Sequence, residues 1–294
     1  MAVLFALITN LAYGLDFYFV RRGLMGSPEP MAAAFITLTV NICFFVLLSV
    51  LFEPLSQLTW SLVYLFIIAG ILAPGAARLL SYRGLETLGM SISVPIVNAE
   101  SIFSVTLAMI FLNESITLVI GAGVLSIIAG LVLLGLESGR GKETTVGKRI
   151  RYRYLLYPLM ASVFYGLSVF FRKLGLNTLG SPILGATITS GTSWVILTVS
   201  LLAGGHVKQL SQVTKQSFIY FLLGGLATCI AWYSFFNALH IGKVSIVTPI
   251  ATSYSLVTLF FSYVLLRKVE RINRRIVAAT VLVVGGIILL SLAK

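Results

Sequence analysis

The sequence predicts an all-α membrane protein of ten transmembrane helices in two inverted five-helix repeats, and three observations carry the prediction. Of 294 residues, 58% are hydrophobic and only 10% charged, with a mean hydropathy of +1.02, well outside the soluble globular range. The apolar residues gather into ten runs of about 20, the length that crosses a hydrocarbon core. The two halves of the chain also repeat each other's residues in the same order.

The first run, 2–22, has no basic segment ahead of it and no small-residue cleavage pattern, and its charges, Arg21 and Arg22, follow it. It reads as a retained helix and not as a signal peptide. Runs 30–52 and 60–83 come next across short connections. The fourth run, 90–112, carries Pro95, Asn98 and Glu100 near its middle. A carboxylate at membrane depth costs about 2.5 to 3.5 kcal/mol on insertion scales, so Glu100 is expected to face protein or a wet cavity, either as a functional group or as the partner in a helix-packing salt bridge. The fifth run, 116–136, contains Gly121, Gly123 and Gly130, and the tenth, 274–293, contains Gly285 and Gly286. Glycines with few polar neighbours suit close helix approach, which marks these two spans as scaffold or as a homodimer surface. Between the halves lies the longest hydrophilic segment, ESGRGKETTVGKRIRYR, and after it come runs 154–176, 182–203, 217–240 and 243–266.

The chain therefore divides into a first repeat, 1–139, a basic linker, 140–153, and a second repeat, 154–294. Tyr13, Gly14, Leu15, Phe19, Gly23 and Leu24 recur as Tyr165, Gly166, Leu167, Phe171, Gly175 and Leu176, at an offset of 152. Leu85, Ser91, Ile92, Pro95 and Ile96 recur as Leu239, Ser245, Ile246, Pro249 and Ile250, at 154. Glu114, Gly130, Leu133 and Leu134 recur as Glu270, Gly286, Leu289 and Leu290, at 156. An odd number of spans per half inverts the second half relative to the first. Inverted repeats put a substrate site near the midplane, where the halves meet, and let the cavity open to alternate sides.

Lys and Arg are distributed unevenly: 17 belong to connections after odd-numbered spans and four to connections after even-numbered spans and the termini. By the positive-inside rule the former are cytoplasmic and both termini lie outside. The net charge of +12 is thus a matter of helix ends meeting lipid headgroups, not of nucleic-acid binding. Cys43 and Cys229 fall within spans, so no structural disulfide is expected, and no His or Cys spacing suggests a metal site.

Within the spans, three charges need explanation: Asp16, Arg78 and Glu100; Arg172, Lys173 and His240 stand close enough to span ends to snorkel. Asp16 and Arg78 each sit about six residues, roughly 9 Å, from the cytoplasmic end. They are expected to form either a cytoplasmic gate or a static ion pair. Glu100 lies roughly 15 Å deep, close to the midplane, where a carboxylate can exchange a proton for substrate or anchor a cationic group. Pro95 and Pro249 each remove a backbone donor and free a carbonyl one turn earlier, at Ser91 and Ser245. Such breaks line cavities in transporters, or else are packing kinks healed by the serine hydroxyls. Tyr13, Tyr165, Tyr82, Trp232 and Tyr254 supply apolar walls with polar tips, with ordinary helix packing as the alternative. Trp232 stands at the mate of Arg78 and Tyr254 at the mate of Glu100, so one half offers charge where the other offers a ring, as a small zwitterion or organic cation would require.

The pair Glu100 and Glu114 in AESIFSVTLAMIFLNES, within two five-helix halves, resembles the drug/metabolite transporter superfamily in its ten-helix EamA-like branch. Where that family often has proline after the first glutamate, this chain has Ser101, and the second half keeps only Leu265 and Leu266 leading to Glu270. The resemblance implies a multi-pass protein of a prokaryotic plasma membrane that binds no cofactor and carries a small polar or amphipathic metabolite, an amino acid or related compound, in the export direction. Carriers of organic cations, drugs or nucleotide-type metabolites share the fold and are the alternative. No Walker-type GxxxxGK[ST] occurs, which leaves a proton gradient or exchange as the energy source. An intramembrane enzyme finds no HExxH, no GxSxG and no carboxylate pair at one depth, and a channel finds no ring of like charge. The charge bias predicts that a reporter fused after Lys294 and active only in the cytoplasm will be silent; activity there would reverse the assigned orientation.

Overall fold

A computed structural model describes residues 1–53, 60–112, 119, 122–123, 125–130, 133, 152–205, 207–265 and 273–292. Within them, eight helical stretches are long and apolar enough to cross a membrane, corresponding to the first four and the sixth to ninth expected spans. In chain order the helices are α1 (Ala2–Gly26), α2 (Pro30–Phe52), α3 (Trp60–Gly70), α4 (Ala77–Leu88), α5 (Met90–Val97), α6 (Glu100–Leu112), α7 (Leu156–Leu179), α8 (Pro182–Ala203), the short α9 (Val207–Ser211), α10 (Lys215–Ile241), α11 (Val244–Thr252), α12 (Ser255–Leu265) and α13 (Arg274–Leu292). Of the fifth expected span, residues 125–130 are helical. Glu114, Glu270, Gly121 and the linker as far as residue 151 lie outside the described residues.

Turns ending in proline, residues 26–30 and 180–182, lead into the second helix of each half. Pro30 and Pro182 occupy the first helical turn, where a missing donor costs nothing. In the second turn Ser181 caps the Leu184 amide at 3.2 Å, and Gly180 ends α7 in the left-handed region at φ 72°.

One expectation needs correction. The third span, expected as one apolar run over 60–83, is in two pieces: α3 and α4 are separated by a π-helical turn, Ile71–Ala76, in which Ala73 is extended at φ −151°, ψ 130°. Pro74 is the cause: it donates no hydrogen bond and disfavours helical geometry in the residue before it. The fourth and ninth spans are also in two pieces, with turns at Asn98–Ala99 and Ser253–Tyr254. Pro95 and Pro249 stay inside α5 and α11, shortly before those turns.

The two halves interlock. α1 packs along α10, and its counterpart α7 packs along α3 and α4, so the first helix of each half lies on the third span of the other. α2 faces α8, while the pieces of the fourth span cross those of the ninth, α5 against α12 and α6 against α11. Glycines set these approaches in matched pairs. A side chain at Gly14 would meet Val257, and one at its mate Gly166 would meet Phe103, the mate of Val257. Gly23 abuts Phe221 as Gly175 abuts Phe66. Gly130 abuts Val283 and Gly286 abuts Ile127, which joins the fifth expected span to α13, helped by Ser126 donating to the Leu282 carbonyl at 2.7 Å. Outward residues such as Leu47, Val50 and Leu51 remain exposed and apolar, the face lipid would cover.

Candidate functional site

The break in the third span builds the first part of the site. With Ala73 extended, the carbonyls around it lose their helical donors and, in an interior without water, must be met by side chains. Ser168 of α7 reaches the Ala69 carbonyl at 2.8 Å and that of Ala73 at 3.1 Å, and Ser193 of α8 donates to Gly70 at 2.6 Å. Arg172 of α7 completes the set, its Nη2 donating to the Ala73 carbonyl at 2.7 Å. The guanidinium lies 4.5 Å from the centroid of Trp232 and 5.4 Å from that of Phe236. Its Nε is buried without a partner.

Arg172 corrects the expectation that it snorkels, because only 2% of its surface is exposed. Trp232, expected to offer its face to a substrate cation, carries the chain's own Arg172 there. Lys173, next in sequence, does reach an end: it donates to the Leu239 and Gly242 carbonyls at the close of α10.

The second part of the site is where the fourth and ninth spans cross. Asn98, in the first turn, donates from Nδ2 to Ser255 Oγ beyond the second turn at 2.7 Å, while its Oδ1 is buried without a partner. Asn10 of α1 braces the second turn, donating to the Ile250 carbonyl at 3.0 Å and to Ser253 Oγ at 2.7 Å. Asn10 and Ser255 were not singled out from sequence; the signal was an amide in the first span and a hydroxyl just past the proline of the ninth. Pro95, Pro249, Ser91 and Ser245 are all buried in α5 and α11 beside these turns.

Glu100 opens α6, immediately after the Asn98 turn, and is buried. It lies within electrostatic range of Arg172, Tyr13, Tyr165 and Tyr254. Tyr254 packs its ring 5.4 Å from Tyr13 and stacks 5.2 Å from Phe17. Tyr82 is buried in α4, its hydroxyl 3.4 Å from Thr37 Oγ1, with the Arg78 guanidinium over its ring at 5.9 Å. Arg78 Nη1 donates to the same Thr37 hydroxyl at 3.2 Å. Asp16 is buried against Gly224 and beside the Thr228 hydroxyl, with Oδ1 unpartnered. Asp16 and Arg78 feel each other's charge, yet among the described residues no ion pair joins them.

The arrangement is thus a layer with two buried carboxylates, two buried guanidiniums and four tyrosines, of which Tyr82 and Tyr254 are buried and Tyr13 and Tyr165 partly so, drawn from α1, α4, α6, α7 and the turn before α12. Among the described residues no cluster of His, Cys, Asp and Glu is suited to a metal ion. What the layer offers is oriented charge for binding.

A bundle with eight membrane-length helices and a polar layer inside it is an integral, multi-pass membrane protein. The profile of the EamA-like transporter family matches residues 1–136 and 153–292, and the chain belongs to that family. It is 24% identical over 94 residues to a protein of a Sinorhizobium species described as an "uncharacterized transporter in cobO 3'region", a match covering 32% of this chain and 66% of that protein. A solved structure described only as "Crystal structure of protein" superposes with a TM-score of 0.68 over 98% of both chains at 13% identity, a likeness of fold alone.

The Asn98 bridge predicts a coupled pair. Asn98→Ala and Ser255→Ala should each lower stability in detergent by about 1 to 2 kcal/mol, and the double variant by clearly less than the sum. Strict additivity in thermal or denaturant unfolding would mean that the bridge contributes nothing.

Proposed function

We propose that the protein is a secondary transporter that moves a small zwitterionic metabolite, an amino acid or related compound, by alternating access between two inverted halves. The carrying observation is the layer of Asp16, Arg78, Glu100 and Arg172, each at most 8% exposed, with no ion pair among them in the described residues. Taking an ion out of water costs several kcal/mol, which a paired geometry normally offsets. Here the opposite charges balance as a set but stand apart, as they would around a ligand that bridges them. A ligand with an ammonium group for Glu100 or Asp16 and a carboxylate for Arg172 meets both poles. An organic cation is the weaker reading, because the Trp232 face it would use is occupied by Arg172.

Alternating access is supported by the mirrored packing: equivalent glycines make equivalent contacts across the two halves, so one arrangement can be exchanged for its mirror at little cost. In this reading Glu100 couples movement to protons or to exchange, Tyr13, Tyr82, Tyr165 and Tyr254 line the site with Asn98, and Asp16 and Arg78 gate its cytoplasmic side. The Lys/Arg bias supports cytoplasmic odd-numbered connections and external termini.

A thermal-shift screen of amino acids, amines, sugars and nucleotides on purified protein names the substrate class, and counterflow in liposomes then reads transport. Glu100→Gln should cut counterflow at least about tenfold and flatten its pH dependence, a loss of about 1.4 kcal/mol or more. Arg172→Gln should abolish stabilisation by carboxylate-bearing ligands. Unchanged rate and pH dependence in Glu100→Gln would overturn its role. If Asp16→Asn and Arg78→Ala lower the melting temperature while transport stays intact, they form a static pair and not a gate.

A further inference from the structure

Arg21 and Lys173 are repeat mates at the offset of 152, and each does the same thing in its own half. Arg21, only 7% exposed, donates from Nη1 to the Leu85 carbonyl at 2.6 Å and reaches that of Glu86 at 3.4 Å, near the end of α4. Lys173 donates from Nζ to the Leu239 carbonyl at 2.8 Å and to that of Gly242 at 3.0 Å, at the end of α10. Leu85 and Leu239 are themselves mates at the offset of 154. The last carbonyls of a helix have no partner within it, and a cation there also opposes the negative end of the helix dipole.

The two contacts lie at opposite ends of the bundle. α1 and α10 run antiparallel: Ser217, near the start of α10, donates to the Gly23 carbonyl near the end of α1, and Gly242, just past α10, lies against Ala2. Lys173 therefore binds at the end of α10 that is remote from Arg21. Ala2 is level with Gly242, and the 19 residues of α1 from Ala2 to Arg21 set the two contacts roughly 29 Å apart, about the thickness of the hydrocarbon core.

They also bridge the same two bodies. α1 packs mainly on α10, and α7 mainly on α3, α4 and α6. Arg21 rides on the first body and holds α4 of the second; Lys173 rides on the second and holds α10 of the first. Tilting one body against the other parts their faces at one end and presses them together at the other.

We infer that Arg21 and Lys173 are a matched pair of latches, one at each mouth of the bundle, and that opening to either side releases one while the other stays made. The inference rests on the alternating-access reading and adds to it the residues that hold each mouth shut. Both latches are made in this structure. Unlike the Arg172 contact in the middle of the bundle, they sit at helix ends, where water can replace the carbonyls, so they can break without stranding a charge in the interior.

The test is a pair of distances measured by electron-electron double resonance on spin-labelled protein in nanodiscs, with Cys43 and Cys229 replaced by serine. Labels at Met25→Cys and Arg83→Cys span one mouth, and labels at Asn177→Cys and His240→Cys span the other. Arg21→Gln should shift the first pair to longer distances and leave the second short; Lys173→Gln should do the reverse; Arg21→Lys and Lys173→Arg should keep the parent distributions. A glutamine variant that widens both mouths, or neither, overturns the inference. Each glutamine variant is decisive alone, so one that does not fold leaves the other to decide. Counterflow by the parent protein reads the transport proposal separately, since the distances need no substrate.

Discussion

A backbone carbonyl that leaves its helix inside a membrane must be met by protein, and much of this architecture is organised by that requirement. Three spans are interrupted, at Ala73, Asn98 and Ser253, and partners from the other half of the chain reach each of them, joined at Asn98 and Ser253 by local partners. Ser168, Arg172 and Ser193 serve the first, Asn98 and Ser255 join the second to the third, and Asn10 braces the third. Separating the halves would leave each buried group unsatisfied at about 1 to 3 kcal/mol apiece. The breaks thus bind the halves together at the level where a carrier needs polar chemistry.

Arg172 shows how the same requirement makes a site. It is drawn inward by the Ala73 carbonyl and held between α3 and α10 by the faces of Trp232 and Phe236. A desolvated cation over an aromatic face gains on the order of 2 kcal/mol, less than its desolvation costs. Part of the remainder falls to Glu100, whose charge it feels without an ion pair among the described residues. A guanidinium with one carbonyl and two rings is positioned but not saturated, as its buried, unpartnered Nε shows.

The all-helical, membrane-spanning character was legible because apolar runs of membrane length leave a long-period mark, and several of the motifs recurring in order make corresponding contacts. The break of the fourth span was legible because proline, asparagine and glutamate stand out against apolar neighbours. Pro74 was passed over since its surroundings, ILAPGAA, are apolar and small, and nothing polar advertises the opening. Arg172 was misplaced for a different reason. Depth was counted from an expected span end at residue 176, but α7 continues to Leu179, and a partner carbonyl 99 residues away fixes the side chain's direction. Such long-range partners are invisible to periodicity. Gly130 and Gly286 are close-approach positions as expected in the fifth and tenth spans, whereas a side chain at Gly285 would meet open space; that glycine mates contact mates is visible only with both halves in place.

What the repeat leaves unequal bears on how a ligand is oriented. Ser168, the mate of Asp16, faces the carbonyls freed beside Pro74; Asp16 faces Gly224 and Thr228, and Thr228 is the mate of Pro74. Across the repeat, a proline-broken helix offering carbonyls to donors is exchanged for an unbroken helix whose Thr228 hydroxyl donates to its own Gly224 carbonyl beside the carboxylate. Arg172 adds a cation on one side where its mate, Val20, adds none, and Glu100 adds an anion where its mate is Tyr254. A perfectly symmetric pair of halves would present an unpolarised centre, equally suited to a ligand in either direction. These few departures give the layer poles while the glycine contacts stay mirrored; in the proposed carrier the poles hold a dipolar ligand one way round and the mirrored contacts let the two arrangements exchange.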